Sequence, residues 1–287
     1  MGRSQIGETV SACDVKIAGH RIRYLRAGAG PAVVLVHGLM GYSFSWRFTI
    51  PALATHFTVY APDLPGTGFS ERVADLDCSM RASAARLLKF FEKVGLEEFD
   101  LVATSHGGAL GAWVATMATE MPRPRIRKLV LVAPANPWSR GGRKRIRVLS
   151  TVPGAMLFRL LALRMTGLHR YVLERLYADR SRIPAGTMEG YAEPLKLPGS
   201  IDYLLAVVAC WHHDLAELEA AYRKIRIPTL LVWGDHDLAV LPESAPKVQR
   251  AISGSKLITM RGVGHLPYEE APQEFNRIVL DFLRARG

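Results

Sequence analysis

The chain has 287 residues, 49% of them hydrophobic and 22% charged, which suits a folded protein with one large core or two modest domains and excludes a disordered or fibrous class. No run reaches the roughly 18–20 uncharged apolar residues that cross a bilayer, and Cys13, Cys78 and Cys210 are too few and too scattered for a disulfide framework or a zinc site, so they read as separate reduced thiols. The net charge of +11 raises the possibility of nucleic acid, but between Asn136 and Ser200 there are twelve Lys/Arg and only four Asp/Glu, so the excess is a local basic surface with no aromatic-interleaved binding motif beside it.

The start, MGRSQIGETVSACD, lacks the apolar core of a signal peptide, and Ile6 stands where myristoylation needs Ser or Thr; the expected location is the cytoplasm. His20–Ala27 alternates like a partly exposed strand. Ala32–Val36 (AVVLV) and Phe57–Ala61 (FTVYA) are continuous apolar runs, as strands buried on both faces require. Ser79–Val94 has helical spacing, followed by a strand at Phe99–Thr104, a small-residue helix at His106–Glu120 and a strand at Lys128–Val132. The alternation then stops: residues 136–220 read as helical and basic, with Pro and Gly breaks. It resumes with the strand Thr229–Trp233, a helix near Pro242–Ile252, the strand Lys256–Met260 and one amphipathic helix from Pro267. Strands alternating with helices predict an α/β class with a mostly parallel sheet covered on both faces. The chain divides into a core (1–135 and 221–287) and an inserted helical cap (136–220).

Reactive groups in such sheets collect where strands end at their carboxyl edge. Three ends here carry what acyl transfer needs. Leu101-Val-Ala-Thr-Ser105-His-Gly-Gly108 runs from a strand straight into a helix; a nucleophilic serine must project from a sharp, strained turn with small neighbours, here Ala103 and Gly107, although glycine is usual at the first. The bland alternative is a serine that merely caps a helix. Val232-Trp-Gly-Asp-His-Asp237 follows another strand, and either Asp235 or Asp237 could orient a histidine. Gly262-Val-Gly-His265 supplies that histidine from a loop. After AVVLV, the segment His37-Gly38-Leu39-Met40-Gly41 can present backbone N–H groups to an oxyanion, with Leu39, or Met40, and His106 as donors.

These segments, HGLMGYSFSW (37–46), APDLPGTGFS (61–70), ATSHGG (103–108), WGDHD (233–237) and GVGHLPYEEAP (262–272), resemble in order and over nearly the whole length the α/β-hydrolase superfamily, in the branch holding epoxide hydrolases, haloalkane dehalogenases, small esterases and carbon–carbon hydrolases. The resemblance implies the α/β-hydrolase fold, favours Asp237 as the acid, and makes His37-Gly38 and Asp63…Ser70 shape the site without reacting. SFSWR looks most like the dehalogenase and epoxide hydrolase pattern, whose nucleophile is aspartate, yet position 105 is serine. A carboxylate leaves an ester that water can cleave, whereas serine attacking an epoxide or alkyl halide would leave an ether. Serine therefore points to acyl chemistry.

The expectation is a serine hydrolase with Ser105, His265 and Asp237, acting on a small-to-medium hydrophobic ester in a pocket formed by Met40, Tyr42, Phe44 and Trp211, with no metal and no cofactor. His212 and His213 point about 100° apart on a helix and do not form a chelate. A carbon–carbon hydrolase is the runner-up, set back because its loop after His37-Gly38 is usually richer in glycine than LMGYS; a small-molecule receptor on the same fold is the alternative from another class. GGRKRIR (141–147) and VLSTVPGAMLFRLLALR (148–164) read as a cap whose apolar face covers the site; the competing reading is a patch that touches anionic lipid.

Overall fold

The computed structural model describes residues 10–162 and 168–285. The start that was read for targeting signals therefore falls largely outside the described residues, as do residues 163–167 of the basic segment.

Eight strands form one sheet: β1 (Ser11–Ile17), β2 (His20–Ala27), β3 (Ala32–Val36), β4 (Thr58–Pro62), β5 (Glu98–Thr104), β6 (Arg125–Val132), β7 (Thr229–Gly234) and β8 (Lys256–Met260), in the order β1-β2-β4-β3-β5-β6-β7-β8. β2 pairs antiparallel with β1 and β4; every other pairing is parallel. The helices are α1 (Ile50–Ala54), α2 (Met80–Lys93), α3 (Ser105–Ala118), α4 (Arg143–Leu149), α5 (Val152–Ala162), α6 (Leu168–Glu174), α7 (Thr187–Leu195), α8 (Ser200–Lys224), α9 (Ala245–Ala251), α10 (Pro267–Glu270) and α11 (Pro272–Arg284).

The strand period of two sorts the core into two layers. Val34, Val36, Leu101, Ala103, Leu129, Leu131, Leu231 and Trp233 face the layer that holds α2, α3, α8 and α9. Their strand neighbours Val33, Leu35, Val102, Val130, Val132, Leu230 and Val232 face the opposite layer, with α1 and α11. Both faces being covered explains why these strands read as unbroken apolar runs.

Three departures from the expected elements have local causes. β1 went unpredicted because SACDVKI is an edge strand with its early residues in water. The single closing helix is two: Ala271 sits at φ −140°, ψ 59°, ending α10, because the ring of Pro272 disfavours the helical region for the residue before it. α8 is one continuous helix that crosses residue 220; its later turns carry Leu218, Ala221 and Tyr222 into the core beside α3, where the Tyr222 hydroxyl donates to Ala135 O at 2.7 Å.

Candidate active site

The carboxyl ends of β3, β5, β7 and β8 converge on a cavity of about 200 Å³. Gly38–Gly41 line it from the end of β3, Ser105 from β5, Ala239 from the loop after β7, and His265 and Leu266 from the loop after β8; α6 and α7 close it with Val172, Leu173, Tyr191 and Leu195.

Ser105 has φ +53°, in the left-handed region that side chains avoid. Such strain marks a residue whose surroundings over-determine it. Tight packing does so here. A methyl on Gly107 would lie 2.1 Å from His37 O, so α3 starts directly against the β3 loop. Ala103, where glycine is usual, is accommodated across the helix: a methyl on Gly111 would approach the Ala103 methyl at 3.0 Å, and glycine there leaves the room.

His265 Nδ1 lies 2.7 Å from Asp237 Oδ2, both side chains buried. The other Asp237 oxygen accepts from Ala239 N at 2.8 Å and Val240 N at 2.9 Å. With the carboxylate accepting on both oxygens, Nδ1–H of His265 is the donor to Asp237, and Nε2 is the ring nitrogen on the side away from it. Asp235 does something else: it is exposed, and its Oδ1 accepts from Gly262 N at 2.7 Å and contacts the His236 ring at 2.7 Å. It closes the loop turn. Ser105 and His265 share the cavity wall, but among the described residues no hydrogen bond joins them. Hydrogen bonds of this kind are commonly long without substrate.

The neighbouring loops are held by two buried groups. Leu64 N donates to His37 Nε2 at 3.0 Å, so the His37 Nδ1–H donates to Gly38 O at 2.8 Å; burial pushes this imidazole's pKa down, keeping it neutral. Asp63 accepts from Ser43 N at 2.8 Å and Phe69 N at 2.9 Å. Leu39 and Met40 line the cavity, Met40 at φ +60°, and His106 N lies in the first turn of α3, whose amides lack helical acceptors.

The side chains expected to form the pocket divide. Met40 lines it. Tyr42 and Phe44 stack on each other at 5.5 Å and meet Tyr191 edge-on, one layer behind the wall. Trp211 lies against the core with its ring stacked on His106 at 5.7 Å, because the α8 face that carries it packs onto the main body. His106 is consequently buried; burial, reinforced by the nearby His37, lowers its pKa to about 3. His212 and His213 are exposed on α8.

One cluster escaped the sequence reading. Glu269, fully buried, takes both Arg47 nitrogens, Nη1 at 2.8 Å and Nη2 at 2.9 Å, and accepts from the Tyr177 hydroxyl at 2.5 Å and from the Tyr191 hydroxyl. Its neighbour Glu270 accepts from Gly264 N at 2.7 Å, Asp179 N at 2.9 Å and Ala178 N at 3.1 Å, and His265 N donates to Leu176 O at 2.7 Å. These bonds tie the stretch from Leu176 to Tyr191 to the His265 loop. The signal in the sequence was the paired carboxylates that follow His265-Leu-Pro-Tyr; nothing nearby pointed to their partners.

The chain matches the family described as alpha/beta hydrolase fold over residues 31–272. It is 30% identical over 282 residues to a pyrrolizixenacetamide deacetylase of Xenorhabdus hominickii, covering 94% of this chain and 97% of that protein. It is 27% identical over 290 residues to a 2-hydroxy-6-oxo-2,4-heptadienoate hydrolase of Pseudomonas putida, covering 98% of each. Among solved structures, an epoxide hydrolase superposes with a TM-score of 0.82 at 24% identity, over 96% of this chain and 99% of that one; at that identity the likeness concerns the fold. With the sheet order, the strained serine turn and a match spanning most of its length, the chain belongs to the α/β-hydrolase family.

Proposed function

We propose that this protein is a serine hydrolase that cleaves small hydrophobic carboxylic esters through an acyl-enzyme, with Ser105 as nucleophile, His265 as general base and acid, Asp237 as the orienting carboxylate, and the helices between β6 and β7 as a cap over the site. The observation that carries it is the 2.7 Å contact between buried Asp237 and His265 on the wall of the cavity that Ser105 enters from a strained turn.

In this reading His265 Nε2 takes the Ser105 proton as Oγ attacks the ester carbonyl. Charge moves to the carbonyl oxygen, which the N–H groups of His106 and Leu39, or Met40, receive. The imidazolium, held by Asp237, returns its proton to the departing alcohol, leaving an acyl-serine. Water, deprotonated by the same nitrogen, adds to that ester, and Ser105 leaves with the proton.

The cavity's character supports short, apolar acyl groups: about 200 Å³, below the roughly 300–1,000 Å³ of sites for drug-sized ligands, with Leu39, Met40, Val172, Leu173, Leu195 and Leu266 around it. The relation to a deacetylase favours acyl transfer. The relation to a dienoate hydrolase favours carbon–carbon cleavage as a second reading, but the described lining residues include no Lys or Arg to favour a dienoate's carboxylate over an uncharged ester. The test is a panel of p-nitrophenyl esters from acetate to palmitate with a fluorophosphonate probe. Turnover highest at the short chains, with labelling and turnover both lost in Ser105→Ala, is the expected result; unchanged turnover in that variant overturns the assignment, and ligand binding without turnover favours a receptor.

A further inference from the structure

A helix on a protein surface normally turns its apolar stripe inward. α5 turns it outward. Val152 (76% exposed), Met156 (63%), Leu157 (57%) and Leu160 (53%) face water, and at 100° per residue they occupy one half of the helix. Gly154, Ala155 and Phe158 lie on the half-covered side. The expectation that the apolar face of this segment covers the site therefore fails for α5. Val148, 61% exposed at the end of α4, extends the patch.

The sequence around this patch is one-sided in charge: between Asn136 and Leu173 there are eight Lys/Arg and no Asp/Glu, and of these Arg159 on α5 is paired with Asp202 of α8 at 2.6 Å. On α4, which packs against α5, Lys144, Arg145 and Arg147 are exposed, and among the described residues none of them is in an ion pair. An exposed apolar stripe with unpaired cations along one edge matches the chemistry of an anionic lipid surface: side chains enter the boundary between headgroups and acyl chains, and cations meet the phosphates. A second copy of the chain fits less well, because a two-fold contact through this face would bring two clusters of like charge together. No helix among the described residues is long and apolar enough to cross a membrane, so the contact is one made at the surface.

We propose that α4 and the outward face of α5 form an interfacial anchor for anionic membranes, with Val152, Met156, Leu157 and Leu160 inserted and Lys144, Arg145 and Arg147 on the lipid phosphates. The anchor stands independently of the reaction assigned to Ser105.

The experiment is flotation of the full chain with vesicles of phosphatidylcholine alone, or mixed with phosphatidylglycerol, at low and high salt. Binding is expected to the anionic vesicles and to weaken with salt. Each cation at such a surface strengthens partitioning about five-fold, so the triple variant Lys144→Glu, Arg145→Glu, Arg147→Glu weakens binding by on the order of 100-fold or more. Leu157→Ser with Leu160→Ser weakens it at least about ten-fold. Circular dichroism checks that these exposed substitutions leave the fold intact. Absence of binding to anionic vesicles at low salt, equal binding to neutral ones, or indifference to the charge reversal overturns the proposal. A concentration-dependent dimer lost in Leu157→Ser, without vesicle binding, assigns the face to a second copy instead.

Discussion

Replacing Glu269 by Gln separates a buried ion pair that holds the molecule together from one that merely happens to be buried. The carboxylate is fully buried and receives two Arg47 nitrogens and two tyrosine hydroxyls. Gln keeps the shape but removes the charge and presents an NH2 group to donors that need an acceptor, while Arg47 stays largely covered, its guanidinium over the Phe44 ring at 4.1 Å and Phe48 at 4.5 Å. Breaking such a pair from one side costs about 3–5 kcal/mol, mostly the expense of the stranded charge. With a urea slope of about 3 kcal/mol per M for a chain this long, the unfolding midpoint falls by roughly 1–1.7 M. The double variant Glu269→Gln with Arg47→Met strands no cation, so it should be less destabilised than the two single variants combined, by about 1–3 kcal/mol. Because the bonded Tyr191 lines the cavity, ester turnover should fall with stability in Glu269→Gln. A single-variant loss below about 1 kcal/mol, the size seen for exposed pairs, or strict additivity in the cycle, refutes the reasoning.

Two other measurements probe the site and its surroundings. Asp237→Asn should lower kcat on p-nitrophenyl butyrate by about 10⁴-fold, since Asn would favour the wrong imidazole tautomer, while Asp235→Asn, altering an exposed loop turn, should cost less than about ten-fold; the reverse order would move the acid to Asp235. His106 titrates near 6.5 when the chain is unfolded but only near pH 3 when buried in the fold. The unfolded chain therefore binds the extra proton between those values, and stability falls as pH drops through that window, by up to about 1.4 kcal/mol per unit. Among the described residues His106 Nε2 has no partner to lose, so His106→Phe should recover about 2 kcal/mol relative to the parent between pH 7.5 and pH 5 by urea titration, leaving the acid sensitivity of buried His37; an unchanged pH slope would contradict it.

Local pattern was enough for the parts of this protein that local physics governs. AVVLV, KLVLV and TLLVW are strands because only a sheet covered on both faces buries every residue in a row, and Ser105, Asp237 and His265 stood out as candidates because each follows such a strand, where a parallel sheet collects its functional groups. The pairing of His265 with Asp237 over Asp235 took a family resemblance to favour and a hydrogen-bond geometry to see. Tertiary packing alone decided the rest. Glu269 finds Arg47 222 residues away, and the pocket walls come from α6 and α7 instead of Phe44 and Trp211. Whether the apolar side of α5 faced the interior could not be read from its periodicity, which is the same for either orientation. Periodicity records which residues share a face; what covers that face depends on elements far along the chain, whose approach is set by the whole balance of burial and charge.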